Sequence, residues 1–255
     1  LEVSYAVSVF TGNLRLHQTF DKNNITKSKM HDLLFVLTVL NSSLLQFYFS
    51  TRHATSNVVP ELVSQLPIRR IAFTTLKEKR QALVEEGKVL YQTCLQTGNW
   101  QPILSFVDQR LPKKPDGSSD TDREQSDVVH DILAFLAQQM IDLNKKKQQK
   151  IKSFLSWIED QLEIKIEDLS KKTVIKEFHK HTWEDFYKAL KDSKSKIPRV
   201  TSYQFHSELQ TTHNQVLAEL KPLMEQIELT NGLIDQIVYE LYGLNEEEVK
   251  LIKEA

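Results

Sequence analysis

The sequence predicts an α+β chain dominated by helices, in which a small N-terminal α/β part precedes a long helical region. Two observations predict the first part. Apolar residues alternate at Val3, Tyr5, Val7 and Val9 and again at Leu14, Leu16 and Phe20, around a Gly12-Asn13 turn, which is the pattern of a β-hairpin. Pro60 and Pro67 hold Val58 to Ile71 extended, because proline pushes its predecessor toward β or polyproline geometry. A third observation predicts the second part: from Thr75 onward apolar residues recur at helical intervals. The expected division is therefore 1–73, α/β, and 74–255, helical.

Between the hairpin and the extended segment, Ser28 is a candidate N-cap for a helix running to Phe49, apolar enough to be buried on most sides. Asn41 and Ser42 lie inside it, so they should be buried and hydrogen-bonded. Thr75 to Glu78 has capping-box spacing. Lys113 to Gln125 contains Pro115, Gly117, Ser118 and Ser119 but no apolar side chain, the composition of an exposed, mobile linker. A long amphipathic helix is predicted from Asp127 to about Leu162. Thr182 and Asp185 cap a shorter helix, Tyr203 to Leu229 gives another that Pro222 should kink, Gly243 ends the helix 231–242, and Asn245 with Glu248 starts a last one.

Composition narrows the function classes. The 33 Lys and Arg balance 34 Asp and Glu, a net charge of -1, so a nucleic-acid partner would need a local basic surface. Cys94 is the single cysteine, which excludes an internal disulfide and a Cys-rich zinc site and leads one to expect the cytoplasm. The start Leu1-Glu2-Val3 suggests a piece of a longer protein. Leu33 to Phe49 is interrupted by Asn41, Ser42, Ser43 and Gln46 and falls short of a membrane span, so no membrane partner is expected.

Motifs for chemistry are missing. The glycines at 12, 87, 98, 117, 232 and 243 are too far apart for a dinucleotide or phosphate loop. No Ser or Cys has a glycine-rich elbow, and His179 and His181, two apart, would face different sides of a helix. Glu163-Ile164-Lys165 and Glu86-Gly87-Lys88 match a nuclease Glu-x-Lys only at chance level. The lysines at 145, 146, 147, 150 and 152 read as the solvated face of an amphipathic helix. No catalytic, cofactor-binding or metal residue is assigned.

Three separate segments carry a family resemblance. These are Leu40-Asn41-Ser42-Ser43-Leu44-Leu45-Gln46-Phe47-Tyr48-Phe49, Pro60-Glu61-Leu62-Val63-Ser64-Gln65-Leu66-Pro67-Ile68, and Ile234-Asp235-Gln236-Ile237-Val238-Tyr239-Glu240-Leu241-Tyr242-Gly243-Leu244. Together they resemble the TaqI-like C-terminal specificity domain of adenine-specific DNA methyltransferases, found also in type IIG restriction-modification enzymes. The resemblance implies a target-recognition part that contacts double-stranded DNA, so that an adenine flips into a catalytic domain absent from this sequence. It implies S-adenosylmethionine for the parent enzyme and no cofactor here. The family's Asn/Asp-Pro-Pro-Tyr/Phe segment and its cofactor-binding glycine motif are both missing, so no catalytic role is carried over.

Position and charge select the candidate DNA-binding residues. Arg52, His53 and Asn57 follow the buried helix in a polar stretch, where Arg and Asn suit guanine and adenine edges in the major groove. Arg69 and Arg70 end the extended segment and suit phosphates. The alternative is a helical structural module that docks the missing catalytic or nuclease domain without touching DNA. The near-neutral charge favours it.

Overall fold

The structure, a computed structural model, describes residues 32–52, 66–193 and 197–254. Nine α-helices appear among them: α1 (Leu33–Asn41), α2 (Ser43–Arg52), α3 (Lys77–Thr97), α4 (Gln101–Asp108), α5 (Ser126–Leu162), α6 (Lys172–Lys176), α7 (Trp183–Lys191), α8 (Tyr203–Tyr242) and α9 (Glu246–Glu254). Short 3-10 turns at 166–168, 178–180 and 198–201 join them.

The expectation of an α+β fold is corrected: the described residues form an all-α structure with no strand, only an isolated bridge between Lys113 and Ser119. The predicted β-hairpin over Val3–Phe20 lies outside the described residues. Residues 66–71, the described part of the expected strand, are non-helical but have no neighbouring strand. Pro67 brings no N–H to a ladder. The groups beside it are satisfied otherwise. Ile68 N–H bonds back to the Leu66 carbonyl at 2.9 Å, and the Tyr242 hydroxyl donates to the Pro67 carbonyl at 2.9 Å and accepts the Arg69 N–H at 3.1 Å. One side chain thus does what a paired strand would have done.

Contacts divide the chain into two compact units, residues 1–141 with 228–255, and residues 142–227. In the first, Phe35, Val39, Tyr91, Ile103, Val107, Val129, Leu133, Leu233, Ile237 and Val238 are buried. The α1 hydroxyl of Thr38 donates to its own helix at Leu34 and lies 3.0 Å from the Leu133 carbonyl of α5, and Tyr91 shares a hydrogen bond of 2.8 Å with Thr230. Gly232 admits the Trp100 indole, since a Cβ there would lie 2.7 Å from the ring. Segment 113–125 belongs to this unit. It is tied by Lys114 N–H to the Ser118 carbonyl at 2.7 Å and by Asp116, which accepts from the Ser118 N–H and hydroxyl at 2.9 and 2.6 Å.

The single helix expected across 28–49 is two. Ser42 adopts an extended conformation and its hydroxyl turns back to the Val39 carbonyl at 2.7 Å, so α1 ends and α2 leaves bent by 62°. No single described helix is long and apolar enough to cross a membrane; this bent pair reaches that length and composition only together. Ser42 is buried, and Asn41, half-buried, donates to the Leu37 carbonyl at 2.8 Å. The Ser42 hydroxyl and the Asn41 amide N–H thus both bond to α1 itself, while Asn41 Oδ1 is buried without a partner, so the expected full satisfaction holds for Ser42 and only in part for Asn41. Conversely, the two helices expected at 203–229 and 231–242 are one, α8, continuous through Pro222.

In the second unit, Phe154, Phe178, Phe186, Leu190, Phe205, Leu209 and Leu220 form the centre of the core. Thr182 caps α7, accepting the Asp185 N–H at 3.2 Å as its spacing predicts. His213 is buried among rings, 5.1 Å from Phe186 and Trp183, 5.7 Å from Phe178 and 6.0 Å from Phe154.

Burial holds the His213 imidazole pKa below its ordinary value, because the charged form would lose its water. In the unfolded chain the group takes up a proton near pH 6.5, roughly, while the folded ring still refuses it. Stability of residues 142–227 therefore falls as pH drops through that value. Thermal unfolding followed from about pH 7.5 to 5 should show this loss, and His213→Phe, which fits a ring-lined site, should flatten it. An identical slope in the variant would contradict the assignment.

Candidate nucleic-acid interface

Three of the five sequence-selected residues are described. Arg52 ends α2, exposed, with its guanidinium 4.8 Å from the centroid of the Tyr48 ring one turn earlier. A cation there also suits the negative end of the helix dipole. Arg70 is exposed, with no ion pair among the described residues. Arg69 is engaged instead: its guanidinium meets Glu124 at 2.6 Å, with side-chain exposures of 17% and 6%. His53 and Asn57 lie outside the described residues.

What sets these residues in place is a pair of side chains on α8. Asp235 accepts two hydrogen bonds from one residue, the Ser43 N–H at 2.8 Å and the Ser43 hydroxyl at 2.6 Å. That N–H is one of the donors that the first turn of a helix leaves without an internal partner, so Asp235 caps α2 from another helix. Burial pushes its carboxyl pKa up, and the two Ser43 donors pull against that shift. Two turns later Tyr242 holds Pro67 and Arg69 as described above, and burial raises its phenol pKa, which keeps the hydroxyl able to donate.

Seven residues of α-helix separate Asp235 from Tyr242, which puts them on one face about 10 Å apart. The start of α2 and the stretch Pro67–Arg70 are thereby bound to neighbouring turns of one helix. Arg52 is nine residues along α2 from the Asp235 cap, roughly 13 Å of helix.

A second anchor holds the chain after Arg70. Thr75 was expected to open α3 as a capping box; α3 starts at Lys77 without a side-chain cap, and Thr75 gives its N–H and hydroxyl to Asp127 at 2.9 and 2.8 Å. Arg80 balances this acidic end of α5, its Nε 3.1 Å from Asp131. Close by, His130 accepts the Asp32 N–H on Nε2 at 3.1 Å, so its Nδ1 carries the proton toward Asp131 at 2.8 Å.

Sequence reasoning missed Asp235, Tyr242, Glu124 and Asp127 as organising residues. Asp235 had a signal: it is an acid set into the apolar run Leu233-Ile234 and Ile237-Val238, where a charge is expensive without a partner. Glu124 had none. Among the described residues no group of three or more His, Cys, Asp or Glu could hold a metal ion.

The Arg69–Glu124 pair yields a prediction. Arg69→Ala strands Glu124 with little water, so it should cost about 3 kcal/mol in denaturant unfolding, the low end for a broken buried pair. Arg70→Ala should change stability by less than about 0.5 kcal/mol. Equal effects would show that the pair is not held as described.

Residues 126–238, less than half of the chain, match a family model described as a domain of unknown function (DUF8810). The match includes all of the unit 142–227. No curated protein and no solved structure matches the chain.

Proposed function

We propose that this chain is the target-recognition part of an adenine-specific DNA methyltransferase of a restriction-modification system, and that it is non-catalytic by itself. Its partners would be double-stranded DNA and the parent's catalytic domain, which would bring S-adenosylmethionine. One observation carries the reading. The three segments that resemble the TaqI-like specificity domain are far apart in sequence, yet Ser43 of the first meets Asp235 of the third, and Pro67 of the second meets Tyr242 of the third. Residues that resemble one family at three places and also bond to each other there fit a shared framework better than chance similarity.

The framework supports DNA contact at its edges. Arg52 is the exposed end of a helix whose start is fixed, and Arg70 is exposed between two anchored points, an arrangement suited to presenting recognition groups from a rigid scaffold. Arg69, tied to Glu124, belongs to the framework more than to a phosphate grip.

The second reading is the docking module that touches no DNA. Phe73 and Leu76 favour it: they are 38% and 76% exposed beside the Thr75 anchor, as apolar groups awaiting a protein neighbour would be.

Fluorescence anisotropy of the full chain on duplexes selected from a random pool, over a series of salt concentrations, separates the two. Recognition predicts that Arg70→Ala weakens binding to all sequences and lowers the salt slope by about one unit, whereas Arg52→Ala costs roughly 1–3 kcal/mol mainly on the selected site. Absence of any duplex affinity at low salt would leave the docking module in its place.

A further inference from the structure

A shallow, largely open depression of about 380 Å³ lies in the unit 142–227, lined by Trp157 and Gln161 of α5 and by Ser207, Glu208, Thr211 and Thr212 of α8. This is near the small end of ligand sites, about 300–1,000 Å³. Its aromatic wall is fixed. Trp157 lies nearly parallel to Phe154 and Phe205, at 11° and 9° with centroids 6.0 and 6.5 Å away, so its plane is set before any ligand arrives. On the α8 side, Tyr203 is 87% exposed and precedes Ser207 by four residues and Thr211 by eight, on the same stripe of the helix. Tyr203 lies one turn beyond the lining residues of α8, free to lean over the rim.

The remaining groups offer both donors and acceptors. Gln161 carries an amide able to do either. The Thr211 and Thr212 hydroxyls donate to the Ser207 and Glu208 carbonyls at 2.9 Å each, which leaves their lone pairs free to accept. Glu208 accepts one bond from Gln204 at 3.0 Å and keeps acceptor capacity. Arg199, exposed, donates to the Gln161 carbonyl at 3.1 Å and so brings a cation to the end of α5 beside the cleft. The polar walls disfavour a purely apolar ligand, and the Glu208 carboxylate disfavours a bare anion within the cleft itself.

We propose that this cleft takes one nucleotide of a single-stranded nucleic acid, its base against Trp157 and Tyr203, its edge toward Gln161 and Glu208, and its phosphate toward Arg199. A base has flat faces for aromatic rings and an edge of mixed donors and acceptors, and its backbone carries an anion that Arg199 can meet. Charge is consistent with this: residues 142–227 hold 16 Lys or Arg against 13 Asp or Glu, an excess that the whole chain, at -1, does not show. The assignment stands apart from the duplex-recognition reading, which concerns residues of the other unit.

The test uses the full chain and a labelled single strand of about 12 nucleotides at low ionic strength, with the corresponding duplex and a glucose oligomer as competitors. Saturable binding is expected, with Tyr203→Ala, Gln161→Ala and Arg199→Ala each weakening it about tenfold. Tyr203 and Arg199 are exposed, so these two variants should keep the wild-type unfolding transition. Arg70→Ala should leave single-strand binding unchanged even where it weakens the duplex, which separates this proposal from the recognition reading. No saturable binding, wild-type affinity in all three variants, or displacement by the glucose oligomer would each overturn it.

Discussion

A half-buried carboxylate in an apolar stripe must find donors, and Asp235 finds both of its donors on Ser43, 192 residues earlier in the chain. The rest of the first unit follows from this pairing. The Ser43 N–H would be an orphan at the start of α2, and the helix dipole there favours negative charge, so the acid and the helix end satisfy each other. Because the cap comes from α8 rather than from the local chain, α2 need not continue the direction of α1. The 62° bend, made at Ser42 by its extended backbone, leaves the start of α2 open to that cap.

Tyr242 extends the same device by two turns. A proline-bearing segment has too few donors to pair as a strand, and one phenol supplies both a donor and an acceptor to it. Glu124 then fixes the Arg69 guanidinium, and Asp127 fixes Thr75. The stretch from Pro67 to Thr75 is thus held by side chains from α8, from the approach to α5 and from its first turn. Its exposed residues, Arg70 and Phe73 among them, are presented from a framework whose polar groups are largely spent on holding it. This division of labour gives the recognition reading its physical content.

Local signals in the sequence were legible where local chemistry decides. The Thr182 cap, the reciprocal Asn245 and Glu248 bonds of 2.9 Å, the left-handed Gly243 and the span of α5 all appear where spacing predicts them. Illegible features depend on partners distant in sequence. Thr75 had capping-box spacing, but Asp127 offered it two bonds, and the local box did not form. Pro67 pointed correctly away from helix, but not to the tight turn that the Ile68 N–H makes back to Leu66, nor to a phenol in place of a strand. Arg69 and Arg70 are adjacent and alike in sequence, and only the position of Glu124, 55 residues away, makes one of them structural. The α+β expectation failed at this point, since extended chain was equated with a sheet.

Hydrogen exchange on the full chain with Asp235→Ala tests the central claim most directly. Loss of this acid removes both bonds to Ser43 and should lower stability by roughly 1–3 kcal/mol, the usual cost of leaving a buried partner unsatisfied. Its specific signature is regional. The amides of α2 should lose protection well beyond that global change, because its first turn no longer has a cap, while those of α7, in the other unit, keep theirs. Unaltered protection across residues 43–52 in the variant would contradict the account.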